Sequence, residues 1–391
     1  MDSQKNYSTE YALITGDNIL NQCCEAWQSK SYLALDTEFM RTDSFYPKVA
    51  LIQVCDGEKN YLIDPLRISD WEKFKALMLA PEITKIFHSC SEDLLVFIRQ
   101  FGLLPSPIFD TQIANSFLNQ GFGLSYQNMI SEQLDIDIPK GETRSNWLKR
   151  PLSVQQLDYA ALDVAYLPEI YSRQKKQLAH RNISAWVDED CQRLGGNYKE
   201  ELSQDFSQTY RSISAAWQLD KSQLNILKAL AEWREIRARQ RDKPRNWIIK
   251  DKELVAIAKL TPENISDLDQ IDDLNRNFIN YEGEGLITLI QDSLNVEDKK
   301  RPEALSRPLS NGQKKIFKKA QLLVEKKAEA LNLPIEVLGR KRTLISLFQE
   351  ILKLKSRAAI ESIDLNKISL PDELLGWRKE ILLKELIEVL Q

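Results

Sequence analysis

Apolar and polar positions change period along this chain, and the change divides it. Tyr11-Ala12-Leu13-Ile14 and Leu33-Ala34-Leu35-Asp36 are apolar runs of strand length with a helical stretch between them. Val49 to Cys55 and Tyr61 to Ile63 read as a hairpin turning at Asp56-Gly57, and Ile83 to His88 adds a short buried strand. Helical patterning covers Trp71 to Leu79, Leu94 to Phe101, Thr111 to Leu118 and Gln155 to Gln177, the last opened by Ser153 as N-cap. Strands and helices alternating up to about Leu178 predict an α/β domain, a mixed sheet with antiparallel members flanked by helices.

Beyond about Glu200 the strand signal vanishes and a repeat appears. Sliding the chain by ninety residues aligns Pro244 to Leu254 with Pro334 to Leu344 without a gap, and pairs Ile226 with Ile316, Leu227 with Phe317, Lys228 with Lys318 and Ala238 with Ala328. Each copy reads as a helix, a Pro-marked loop and a second helix beside a basic cluster. Two copies are too few for a solenoid, so two small all-α domains are expected.

At 391 residues the chain has room for several cores, and 43% apolar with 28% charged residues is ordinary globular composition. No run is long enough to span a bilayer, and Met1 to Asn6 lack the basic-then-apolar layout of a signal peptide, so a cytoplasmic chain with no membrane partner is expected. Five cysteines without a Cys-x-x-Cys give neither a disulfide framework nor a zinc site. Only His88 and His180 are present, which removes imidazole-rich zinc sites and paired catalytic histidines. His88 reads as a hydrogen-bonded structural residue. No Gly-rich phosphate loop is found, so no nucleotide cofactor is expected.

The net charge of −4 argues against tight nonspecific nucleic-acid binding, but residues 299–357 carry eleven Lys and five Arg against five Glu. Lys314, Lys315, Lys318 and Lys319 recur at helical spacing and could form a ridge that tracks a phosphate backbone, or simply a solvated face. Trp233, Trp247 and Trp377 read as core anchors of the helical domains.

The chemistry is concentrated in acids. Asp36 and Glu38 are two apart at the mouth of an apolar strand, so both carboxylates point to one face. A solvated pair would fit that spacing, and so would a divalent cation, with oxygen-only ligands suiting Mg²⁺ or Mn²⁺. Asp93 opens a helix, where an acid also complements the helix dipole. Tyr159 and Asp163 stand four apart on one helical face and could reach the same attacking water.

Acidic segments in this order, the last with Tyr four residues before its Asp, resemble the DEDD superfamily of 3′-to-5′ exonucleases in its tyrosine-containing branch. Arg41-Thr42, Tyr46-Pro47, Leu51-Ile52-Gln53, Ile63-Asp64-Pro65-Leu66, Phe109-Asp110-Thr111 and Trp147-Leu148-x-Arg150-Pro151-Leu152 look like bacterial ribonuclease D, and the repeats resemble tandem HRDC domains. The resemblance implies a ribonuclease H-like exonuclease domain at 1–205, a first HRDC domain at 206–295 and a second, HRDC-like domain at 296–391. It implies hydrolysis with two divalent metal ions, Mg²⁺ or Mn²⁺, releasing 5′-mononucleotides from the 3′ ends of tRNA precursors and other small structured RNAs. Asp36, Glu38, Asp93 and Asp163 would be the metal ligands, with Asp36 bridging, Glu38 and Asp163 beside the attacking water and Asp93 on the second ion. Tyr159 would orient the water, with a part in deprotonating it left open, completing the catalytic set. The chain is read as a monomer, its substrate-binding residues unassigned. The alternatives are a DNA exonuclease of the same superfamily and a noncatalytic nucleic-acid-binding adaptor.

Overall fold

The computed structural model describes residues 10–139, 141–142, 145–357 and 368–390, so the Met1 to Asn6 stretch lies outside the described residues. The chain forms two compact units, one of residues 1–40, 48–198 and 310–391, the other of 41–47 and 199–309. Among the described residues no helix is long and apolar enough to cross a membrane.

The first unit is built on a six-stranded mixed sheet in the order β1-β4-β3-β2-β5-β6. The strands are β1 (Tyr11–Ile14), β2 (Tyr32–Met40), β3 (Lys48–Cys55), β4 (Asn60–Ile63), β5 (Thr84–Phe87) and β6 (Ile108–Asp110). β2, β3 and β4 run antiparallel to their neighbours in turn, while β1 joins β4, and β5 joins both β2 and β6, in parallel. The hairpin turn falls at Asp56-Gly57: the Asp56 carboxylate accepts the Glu58 and Lys59 amides, each at 2.9 Å, and Gly57 takes φ +90°. β6 carries no sequence signal of its own, being three residues long behind Pro105 and Pro107.

Strand alternation assigns the two faces of β2. Leu33 and Leu35 enter a core with Trp27, Ile52, Val54, Phe74, Phe87 and Phe97, supplied by α1 (Asp17–Trp27), α2 (Glu72–Leu79) and α3 (Ser91–Phe101). The opposite face of the sheet gives Ala50, Leu51 and Leu62 to a smaller core with Trp147, Ala160 and Ala161. That core is closed by α6 (Val154–Ala165), after α4 (Thr111–Phe117) and α5 (Tyr126–Leu134). The helical pattern from Gln155 to Gln177 is not one helix. It breaks at Tyr166, which caps both α6 and α7 (Leu167–His180), because Pro168 has no amide to continue the ladder. α8 (Ser184–Arg193) follows.

The repeat is reproduced element for element. α10 (Lys221–Arg241), α11 (Arg245–Ile248) and the start of α12 (Asp251–Leu260) recur ninety residues on as α15 (Asn311–Leu331), α16 (Ile335–Leu338) and the start of α17 (Lys341–Arg357). α9 (Lys199–Ser203) precedes the first copy, while α13 (Ile265–Leu268) and α14 (Arg276–Leu294) complete it; α18 (Trp377–Leu390) packs on the second. Asp220 and Ser310 cap the long helices with Gln three residues later in each, and both helices end in a left-handed residue, Asp242 and Asn332.

Two of the tryptophans depart from the expected role. Trp247 is 63% exposed, with the Lys243 ammonium 5.4 Å from its ring, so it anchors no core. Trp377 is buried, but against Trp186 of α8, with ring centroids 4.6 Å apart and 10° between planes, so it fastens α18 to the helices of the sheet domain. Trp233 packs beside the core of the first copy, as expected.

Candidate active site

Asp36 and Glu38 project from β2 toward α6, on the face opposite Leu33 and Leu35. α6 is placed by its N-cap: the Ser153 hydroxyl accepts the Gln156 amide, and the Gln156 side chain accepts the Ser153 amide, a closed capping box. Asp163 thereby comes to the strand, and one carboxylate oxygen from each of Asp36, Glu38 and Asp163 lies within 4.8 Å of the others. Tyr159 stands one turn before Asp163 on the same face of α6, close enough to influence its carboxyl. Asp93, in the first turn of α3, is buried and accepts a hydrogen bond from the Thr37 hydroxyl instead of joining that group of three.

The electrostatics are those of anions without counterions. Among the described residues no lysine or arginine pairs with these four carboxylates. Burial, then the neighbouring Asp163 and Asp93, pushes Glu38 up to about 9, and burial followed by Asp93, Asp163 and Glu38 raises Asp36 well above the carboxylate range. Burial takes Asp163 up to about 8 against the influence of the neighbouring Tyr159 hydroxyl, and Asp93 to about 7 against the Thr37 hydrogen bond. Protein alone therefore disfavours the fully ionised cluster, and a multivalent cation is what would reverse that. The donor set fits one: all oxygen, converging on one point, suited to hard divalent ions. Gln53 adds an independent sign. It is the cross-strand partner of Asp36, fully buried, and neither its amide nitrogen nor its oxygen has a protein partner.

Tyr159 is held from two sides. The Trp147 ring lies 6.1 Å from its centroid, and a Cβ on Gly141 would come within 2.3 Å of its Cδ2. Arg150 fastens the Trp147 segment: its guanidinium donates to both Asp64 oxygens at 2.7 Å, to Ala50 O and to Trp147 O, each also at 2.7 Å. Burial alone would raise the Asp64 carboxyl, but the Arg150 bonds outweigh it and hold it below its usual range. His88 is structural, its ring nitrogens bonded to Thr111 Oγ1 at 2.9 Å and to Leu124 O at 3.1 Å.

A family model described as a 3′-5′ exonuclease matches residues 11–179, and one described as an HRDC domain matches 223–290. Ribonuclease D of Pseudomonas paraeruginosa is 39% identical over 382 residues, covering 98% of each chain. The chain belongs to the ribonuclease D family. Escherichia coli ribonuclease D is 34% identical over 389 residues, covering 97% of this chain and 98% of that one. The crystal structure of Escherichia coli RNase D, described as an exoribonuclease involved in structured RNA processing, superposes with a TM-score of 0.85 at 32% identity over 98% of this chain and 99% of that one. As a ribonuclease D, the protein is a 3′-to-5′ exoribonuclease with a ribonuclease H-like catalytic domain, acts on nucleic acid and depends on divalent metal ions.

Proposed function

We propose that this ribonuclease D trims the 3′ ends of tRNA precursors and other small structured RNAs, releasing 5′-mononucleotides. The observation that carries the reading is the convergence of Asp36, Glu38 and Asp163, with Tyr159 one turn before Asp163 on α6. Asp36, Glu38, Asp93 and Asp163 would hold two ions, Mg²⁺ or Mn²⁺. Bound there, such ions supply charge neutralisation for the attacking and leaving oxygens and make water more acidic. Asp93 would first exchange its Thr37 partner for that role.

Tyr159 orients the attacking water and does not deprotonate it. Burial and the Asp163 charge raise its phenol above an already high ordinary value, so at neutral pH the hydroxyl stays protonated. Trp147 and the small core around it back the Tyr159 ring. Residues 1–205 would be the exonuclease domain, 206–295 the first HRDC domain and 296–391 the second. The ridge Lys314, Lys315, Lys318 and Lys319 is exposed along α15, which supports a phosphate-tracking role for the second copy.

A labelled 3′-extended tRNA incubated beside a matched single-stranded DNA, with and without divalent metal, tests the reading. Metal-dependent trimming of the RNA in preference to the DNA is expected. Equal trimming of both would make the enzyme a general exonuclease, and metal-independent trimming would overturn the site assignment.

A further inference from the structure

β2 carries Asp36 and Glu38 and ends at Met40; residues 41–47, which lead on to β3, belong to the second compact unit. This link includes Arg41-Thr42 and Tyr46-Pro47, two pairs that look like ribonuclease D but have no place among the acidic residues. Its anchor is the end of α10. Asp242, the left-handed C-cap at φ 48° and ψ 50°, accepts the amides of both Phe45 and Tyr46 on one carboxylate oxygen, each at 3.0 Å. The Lys243 ammonium donates to Asp43 O at 3.2 Å. The Arg239 guanidinium stacks 4.6 Å from the Phe45 ring and 4.1 Å from Phe206, and is itself held by Glu201 at 2.6 Å and Glu235 at 2.8 Å. Phe45 is left only 5% exposed.

We propose that Asp242 and Arg239 are positioning residues for the exonuclease reaction, fixing the Glu38 end of β2 through this link. The β2–β3 register shifts between Glu38 and Phe39, and beyond that bulge only two pairs, Phe39 with Val49 and Met40 with Lys48, hold the strand before the link begins. Two charge-assisted hydrogen bonds and a stacked, ion-paired arginine then supply the constraint at the far end of the link. The second helical copy also makes contacts at this position, with different partners. Asn332, also left-handed at φ 52° and ψ 49°, accepts from the Asn119 amide nitrogen at 2.8 Å, and its backbone carbonyl accepts from Arg181 at 2.9 Å. In the first copy the C-cap of the long helix holds residues 41–47, and in the second it meets Asn119 and Arg181. The link that the first copy holds is continuous with the strand that carries the proposed metal ligands Asp36 and Glu38.

The proposal rests on the reading of Glu38 as a metal ligand, which Glu38→Gln tests separately: loss of activity there is independent of the link. Asp242→Gly removes the carboxylate while keeping a residue suited to the left-handed cap, and Asp242→Asn restores an acceptor that also tolerates it. In Asp242→Gly, hydrogen exchange at the Phe45 and Tyr46 amides should accelerate. On a short single-stranded oligoribonucleotide kcat should fall about tenfold with KM nearly unchanged, and the Mn²⁺ Kd measured by calorimetry should rise severalfold. Asp242→Asn should return all three to within about twofold of wild type, while Arg239→Lys, which keeps the charge and loses the stack, should repeat the kcat loss. Faster exchange with wild-type kcat and Mn²⁺ affinity would overturn the proposal, as would equal loss in Asp242→Gly and Asp242→Asn, or unchanged exchange in Asp242→Gly.

Discussion

Gly141→Ala is the sharpest probe of how Tyr159 is held. An ideal Cβ at Gly141 falls 2.3 Å from Tyr159 Cδ2, 3.0 Å from Cε2 and 3.2 Å from Cγ, whereas carbon atoms in ordinary contact stand at about 3.5 Å. The ring must therefore shift by about 1 Å, and Trp147, whose ring lies 6.1 Å away and which is itself buried and tied down through Arg150, restricts that movement. The hydroxyl moves with the ring. A displacement of about 1 Å in a positioning group costs about a hundredfold in rate, or about 2.7 kcal/mol of activation free energy. Single-turnover release of mononucleotide from a 3′-labelled oligoribonucleotide at saturating Mn²⁺ reads this loss directly. Calorimetric Mn²⁺ affinity should stay within severalfold of wild type, because the carboxylates remain. A turnover rate within twofold of wild type would refute the reasoning: the backbone at Gly141, not the ring, would then be what yields.

Three further outcomes are expected. Tyr159→Phe, which removes only the hydroxyl, should fold and bind metal yet lose about ten- to a hundredfold in kcat; full activity would make the tyrosine a packing residue. In chelated protein, Glu38 near 9 and Asp163 near 8 have folded values raised above their unfolded ones. Their contribution to stability is therefore fully present below about pH 4 and lost as pH rises through about 8 to 9. The melting temperature without metal should accordingly fall between about pH 6 and about pH 9, and added Mn²⁺ should restore more of it at the alkaline end; a flat profile would mean the cluster is solvated and uncoupled. Neutralising Lys314, Lys315, Lys318 and Lys319 to Gln should flatten the log–log salt dependence of structured-RNA binding by about 3 to 4 units, with short-oligomer turnover untouched.

The sheet and the acidic constellation were legible because both rest on short-range geometry. A two-residue spacing on a strand and a four-residue spacing on a helix put Asp36 with Glu38 and Tyr159 with Asp163 whatever the rest of the chain does. The ninety-residue repeat was legible for a related reason, since capping residues and the Pro-marked loop recur in register. What could not be read depends on contacts between distant segments. Asp93 has a hydrogen-bond partner 56 residues away, and nothing local to it says so. Gln53 looks like any polar residue in a hairpin strand until pairing with Asp36 buries it. The exposure of Trp247 and the docking of Trp377 on Trp186 are tertiary choices that composition does not encode. Truncation after about Asp205 is accordingly a poor test of the helical domains, since it would also uncover Trp186 and leave Asp190 without Arg378, which donates to it at 2.6 Å.

The most direct test of the four-carboxylate site is a paired measurement on Asp36→Ala: mononucleotide release from a 3′-extended tRNA precursor under single turnover, with RNA affinity measured on the same preparation. Release should fall below detection in Mg²⁺ and in Mn²⁺ while RNA affinity stays within about twofold of wild type, because the basic surface of α15 is untouched. Trimming at the wild-type rate by Asp36→Ala would contradict the assignment of the site.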